Sequence, residues 1–418
     1  MTPEAPEPNT PAPQPGRAAF IFIFITVALD MLALGVIIPV LPKLVVQLSG
    51  GDAATGARMF GVFGTAWALM QLVFSPVLGA LSDRFGRRPV ILLSNVGLGL
   101  DYVLMALAPT VGWLLVGRVI SGITAASFST AGAYIADVTP PDKRAARFGM
   151  LGAAFGLGFV LGPAIGGLLG HVDPRLPFWC AAGLSLLNAT YGLFVLPESL
   201  PKARRAKLSW AKANPVGSLV LLRSHPELFG LASIAFLSGI AHEVLPSTFV
   251  LYADYRFQWD ERTVGLILAA VGVCSALVQG GLVGAATRKL GEWRALRFGL
   301  LCGFLGFVIY GLAPTTWLFL VGLPVSALWG FAGPNAQGLM TRRVSASEQG
   351  QLQGAISSLR GIAGLIGPFL FTQTFAAVVG PAHPIAWSGV PFVLAALLLC
   401  AALATAWAIA PARAPSAQ

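Results

Sequence analysis

Long apolar runs, separated by short polar links, recur from one end of the 418-residue chain to the other. A helix rises 1.5 Å per residue, so roughly 20 apolar residues cross about 30 Å of hydrocarbon. The pattern predicts helical spans at roughly 18–41, 58–80, 90–108, 112–138, 147–170, 176–196, 228–252, 263–285, 295–313, 316–340, 350–379 and 386–410. One longer hydrophilic link splits these twelve spans six and six. The predicted organisation is a Pro-rich tail over 1–17, a six-helix bundle over 18–196, a basic link over 197–227, a second six-helix bundle over 228–411 and a tail over 412–418. The first tail, MTPEAPEPNTPAPQPGR, has no apolar periodicity and reads as disordered. It lacks the basic start of a signal peptide, so the first span is expected to stay as an anchor.

Composition excludes a soluble protein. Hydrophobic residues make up 56% of the chain and charged residues 11%, against about 25% charged in a typical soluble domain. The net charge of +10 raises nucleic acid as a partner, but the placement of the basic residues argues for a membrane topology instead. With both termini cytoplasmic, 20 of the 27 Lys and Arg fall on the inner side, five fall outside, and Arg118 and Arg360 lie within spans. Loops rich in Lys and Arg stay on the cytoplasmic side. The chain therefore reads as a multi-pass protein of the cytoplasmic (inner) membrane, with no nucleic-acid partner.

Cys180, Cys274, Cys302 and Cys400 lie in apolar runs without CxxC spacing, and the four histidines show no metal-ligand spacing. No metal or cofactor is expected to be bound by the chain. Asn188-Ala-Thr190 matches a glycosylation sequon, but it lies inside a span and carries no expected role. No Walker loop appears. An enzyme is not expected, and transport would have to run on an ion gradient.

The halves repeat. Gly79-x6-Gly86 after the second span matches Gly284-x6-Gly291 after the eighth, at an offset of 205. Gly149, Gly156 and Gly162-Pro163 in the fifth span match Gly354, Gly361 and Gly367-Pro368 in the eleventh at the same offset. Duplicated halves point to an alternating-access transporter, with its site between the repeats near the membrane midplane.

The segment Gly79-Ala-Leu-Ser-Asp83-Arg84-Phe-Gly86-Arg87-Arg88-Pro89 resembles the signature loop of the major facilitator superfamily. Its glycines permit a tight turn, and its charges resemble a cytoplasmic latch that stabilises one facing of such a carrier. Gly149, Gly152, Gly156, Gly162-Pro163, Gly166 and Gly167 resemble that superfamily's fifth-helix antiporter signature. Small residues there allow backbones to touch, and Pro163 bends the helix. Arg118 with Ser121-Gly122, and Asp30 followed by Pro39 and Pro42, resemble further signatures of proton-coupled drug exporters. Ser94 through Leu107, Gly117 through Ala125 and Ile135-Ala-Asp137 are similar to the tetracycline/proton antiporters.

That resemblance implies an all-α membrane fold of twelve helices in two pseudo-symmetric bundles. It also implies a proton-driven exporter, most similar to tetracycline pumps that carry a drug–metal chelate, and functional as a monomer. By position, Asp30 and Asp101 match the family's intramembrane acids, Gln71 a polar residue of the substrate path, Arg87 the signature-loop arginine, and Asp137 an acid at the cytoplasmic end of the fourth helix. Arg118 is the expected countercharge to a neighbouring acid. The pumps carry a histidine in helix 8 and an aspartate in helix 9, where this chain has Ser275 and Gly303. His242-Glu243, in mid-span of the seventh helix, is the expected replacement. An unpartnered charge at that depth costs at least ~2.5 kcal/mol, which suits a group that exchanges charge for a proton. Arg360 is the expected partner of Glu243 or of an anionic cargo. Export of other amphipathic drugs or a metabolite, proton-coupled import, and a non-transporting receptor are the rival readings.

Overall fold

A computed structural model describes residues 17–124, 127–140, 143–202, 205, 226–345, 348–380 and 382–409. Most of the first tail, the second tail and much of the basic link, with Arg204, Lys207, Lys212, Arg223 and Arg413, lie outside the described residues. Among the described residues the chain is helical, without strands. Eleven helices are long and apolar enough to cross a membrane. We label them α1 (Phe20–Leu48), α2 (Ala53–Phe85), α3 (Arg87–Leu107), α5 (Arg147–Val172), α6 (Leu176–Val195), α7 (Leu228–Phe257), α8 (Glu261–Leu290), α9 (Glu292–Leu312), α10 (Thr316–Thr341), α11 (Gln349–Val378) and α12 (Ile385–Ala408). The fourth expected span is represented by two shorter helices, Val111–Thr124 and Ser127–Val138, together α4.

Local chemistry sets the boundaries. The Asp52 carboxylate accepts from Thr55 N at 2.8 Å to start α2, and Asp260 accepts from Thr263 N at 2.9 Å to start α8. Each cap satisfies an amide that the first helical turn leaves unpaired. Gly86 (φ 112°) ends α2 and Gly291 (φ 78°) ends α8. These are the repeat landmarks 205 residues apart, and both need the positive φ that glycine adopts without strain. The duplicated spacing is thus a duplicated turn.

Packing follows the small residues. On α1, a Cβ added at Gly35 would lie 2.6 Å from the Gly158 carbonyl oxygen and 2.9 Å from the Gly162 Cα of α5. In α9 and α12, Gly311 and Gly389 approach as closely. Both faces of such helices are apolar, so close backbone approach rather than water exclusion selects the neighbour. One large apolar core fills the C-terminal bundle and two smaller ones the N-terminal bundle.

Candidate functional site

In the N-terminal bundle the acids are sealed. Asp30 of α1 is 6% exposed. Asn188 Nδ2 of α6 donates to its Oδ1 at 2.7 Å and to the Thr26 carbonyl at 2.9 Å. With its amide nitrogen turned to the carboxylate, Asn95 of α3 donates at 3.0 and 3.2 Å and accepts from Asn188 at 3.1 Å. The tripeptide that read as an idle sequon therefore supplies a principal partner of Asp30, on a fully buried side chain. An asparagine in an apolar span was the available signal, since buried amides need partners.

Asp101 of α3 is 1% exposed, and neither carboxylate oxygen has a hydrogen-bond partner among the described residues. Gly117 of α4 leaves it room, for a Cβ there would lie 2.6 Å from Asp101 Oδ1. Arg118, the next residue, lies within electrostatic reach of Asp101, with its guanidinium carbon 5.3 Å from the Trp67 ring centroid. Asp101 is thus an acid beside Arg118, without a direct salt bridge between the two. Gln71 is half-buried on α2, next to Leu72, which faces Gly361 of α11.

The signature loop knots into its own half. Arg87 Nη1 meets Asp83 at 2.5 Å and Ser82 Oγ at 2.6 Å, and Arg87 Nε meets Asp137 at 3.2 Å. The Arg87 amide donates to Glu198 Oε1 at 2.9 Å, and Arg88 donates to the Leu193 carbonyl. Arg84 stands over Phe85. Glu198, just beyond α6, went unread in the sequence, although it is an acid within a strongly basic set. At the repeat offset of 205, Glu292 stands at the place of Arg87 and Arg342 at that of Asp137, and the two pair at 3.0 Å with the charges exchanged.

In the C-terminal bundle His242, Gln279 and Arg360 face open space. Helix α7 is interrupted at Glu243, between Pro226–His242 and Val244–Phe257. A cavity of about 420 Å³ is lined by residues of α7 to α11, including His242, Gln279, Trp329 and Arg360. The His242 and Trp329 ring centroids are 5.8 Å apart. Glu243 is not on the lining; its stem packs against Gly367 of α11, where a Cβ would lie 2.3 Å from its own. The structure thus puts Arg360 with His242 rather than with Glu243. Ser275 lines the cavity. At Gly303, an added Cβ would lie 2.7 Å from Trp329 and 2.8 Å from Leu399, so those side chains fill the space an acid would need.

The halves meet at one end and part at the other. Lys43 of α1 donates to the Trp259 carbonyl at 2.7 Å and pairs with Asp254 at 3.0 Å and Glu261 at 3.3 Å. His171 of α5 faces Asp260 at 3.3 Å. Beneath this latch, Gly167 of α5 would meet the Glu261 carbonyl, and Gly272 of α8 would meet Val160. Farther down the same face of α5, a Cβ at Gly149, Gly152 or Gly156 would meet nothing within 4 Å; the same holds at Gly280 and Gly281 of α8, and one at Gly284 would meet only Arg288 of its own helix at 3.8 Å. Along α2 and α11 contact runs from Gly61 against Thr372 to Leu72 against Gly361, while Gly79 meets nothing. Gly162 and Gly166, by contrast, pack within the N-terminal half on Gly35 and Val36, and Pro163 lies inside α5.

Two helical bundles latched at one end and open at the other, with charged groups buried within their spans, define the class of secondary membrane transporters. The family model "Major Facilitator Superfamily" matches residues 23–368, and the chain belongs to that superfamily. It is similar to "Tetracycline resistance protein, class C" of Escherichia coli, 38% identical over 88% of this chain and 92% of that protein. The class G protein of Vibrio anguillarum is 37% identical over 91% and 95%. Among solved structures, the human organic anion transporter MFSD10 (TETRAN) has a TM-score of 0.69 at 24% identity, covering 94% of this chain and 99% of that one. The nucleoside transporter NupG has 0.77 at 14%, covering 94% and 98%. The two structures bear on the fold alone. The chain is a multi-pass transporter of a small molecule, and not an enzyme.

Proposed function

We propose that this protein exports tetracycline across the cytoplasmic membrane in exchange for protons, working as a monomer with both termini in the cytoplasm. The observation that carries the reading is the asymmetric contact between halves, sealed at Lys43 and parted at Gly149 and Gly280, in a chain similar throughout to tetracycline resistance proteins. The excess of Lys and Arg marks the parted end as cytoplasmic. This is then the state that receives cargo from inside.

In the outward-facing state an intramembrane acid takes up a proton. Asp30 and Asp101 serve in the N-terminal half and Glu243 in the C-terminal half. Loss of charge lowers the cost of burial and permits the halves to rock inward. Proton release and drug binding then compete, and both bias one two-state equilibrium, which is the coupling. The tight Arg87 cluster holds α2, α3 and α4 as one body during rocking. The drug travels with a divalent metal as part of the cargo.

The test uses everted vesicles holding an acid-inside pH gradient, with a pH-sensitive dye. Tetracycline with magnesium should collapse the gradient in wild type. A second reading, export of other amphipathic drugs, is favoured by Ser275 and by the filled space at Gly303. A response to another drug but none to tetracycline would establish it. Silence to all compounds would leave an importer or a receptor.

A further inference from the structure

The lining of the C-terminal cavity has an unusual chemical balance. Among the described residues, Arg360 is its only permanently charged side chain and is exposed to it, yet no Asp or Glu is on the lining. Around it stand amides and hydroxyls. Gln279 comes from a π-helical turn, Val278–Leu282, which interrupts α8 where it faces the cavity; single π turns often re-aim side chains at ligand sites. Ser238 also lines the space, and its hydroxyl is buried without a partner among the described residues. Trp329 and His242 form an aromatic wall. The volume of about 420 Å³ lies within the range of small-molecule sites, roughly 300–1,000 Å³.

We propose that this cavity is a subsite for an anionic, planar aromatic group, with Arg360 as the charge partner and Trp329 as the stacking platform. A guanidinium presents a fork of donors that matches a carboxylate or enolate, and an indole face accepts a flat ring. The proposal rests on reading the protein as a carrier loaded from the parted end, but not on the cargo being tetracycline.

The probe is a matched pair, 2-naphthoate and 2-naphthamide, titrated calorimetrically into the purified full-length protein without added metal. Wild type should bind the carboxylate at least about ten-fold more tightly than the amide, the order expected of a charge-assisted contact. Arg360→Gln should bring the two affinities together while leaving the amide's unchanged, which also shows that the variant is folded. Arg360→Lys should keep part of the preference. Gln337→Glu, which leaves Arg360 in place but adds a carboxylate to the lining, should weaken naphthoate alone. Equal binding of both probes by wild type, or a preference that survives Arg360→Gln, overturns the subsite. Tetracycline export without naphthoate preference overturns the subsite and spares the proposed cargo. Naphthoate preference in a protein that exports no tetracycline does the reverse.

Discussion

In the N-terminal bundle, Asp30 is closed off by two buried asparagines and Asp101 sits in a pocket left by Gly117. In the C-terminal bundle, built on the same repeat, His242 and Arg360 look into open space and the acid Glu243 is turned toward α11. The turns at Gly86 and Gly291 and the close packing at Gly162 and Gly367 recur in both halves; the polar side chains do not. Duplicated backbone geometry leaves the interior free to diverge, because glycine contacts set the helix positions without fixing what the remaining faces carry. Under the proposed mechanism the N-terminal half can then carry most of the proton work, and the C-terminal half, Glu243 apart, the cargo.

The largest effect that would break this division belongs to Asp30. Asp30→Asn should reduce tetracycline-driven proton movement by about a hundred-fold or more, equivalent to ~2.7 kcal/mol, while binding measured by calorimetry stays within a few-fold. If Asp30→Asn pumps normally, the proton path lies elsewhere. Next comes Glu243→Gln. About a ten-fold loss of proton-coupled export is expected, near 1.4 kcal/mol, with drug–drug exchange across vesicles retained. Full retention of coupled export would remove Glu243 from the proton path.

The third test compares polar side chains on sealed and open ground. Asn188→Leu should cost roughly 1–3 kcal/mol of stability by stripping a donor from a buried carboxylate, read as a lower melting temperature in detergent. Gln279→Leu, on the open cavity, should stay within about 0.5 kcal/mol. Equal losses would contradict the contrast between the halves.

Smaller effects concern the latched end. Lys43→Met removes the cation that binds α1 to α7 and α8. A cysteine introduced at Gly167 is not suitable as a reporter, because Gly167 is packed on α8; one placed at Asp52 and labelled from the outer side serves as control. A cysteine at Ile37 should label about two- to five-fold faster in Lys43→Met, a shift of under ~1 kcal/mol in keeping with a partly exposed ion pair. The smallest is a pH effect at Asp260. Hydrogen bonds from the Thr263 side chain and amide hold its carboxyl below the usual range, with His171 and Lys43 adding to this. Its cap is therefore intact above the ordinary aspartate value near 3.9 and is lost as pH falls through the lower folded value. Asp260→Asn should flatten the acid limb of the melting curve, and an unchanged limb would exclude the cap as its source.

Much of this was legible in the residues alone. Spans, the basic bias of alternate loops and the 205-residue repeat follow from length, charge and glycine spacing, each a local property. Arg118 was readable as a countercharge within a span, but not which acid it would face. Asn188 was discounted because a sequon inside a span looks accidental, and Lys43, Trp329 and Gln279 carried no motif at all. Arg360 reads from sequence as the partner of Glu243 or of an anionic cargo, since both residues are charged and mid-span; Glu243 packs instead on Gly367, seven residues along α11, and His242 shares the cavity lining with Arg360.

The sequence by itself determined that this is a duplicated membrane carrier, and where its spans and glycine turns fall, because bilayer thickness, peptide geometry and the missing side chain of glycine act on short stretches. Only the tertiary structure decided which polar groups meet. In helices that are apolar on every face, lipid and neighbouring helix look alike to a hydrophobic pattern. The partner of Asp30, 158 residues away, is therefore chosen by how closely backbones approach, and that is a property of the assembled bundle.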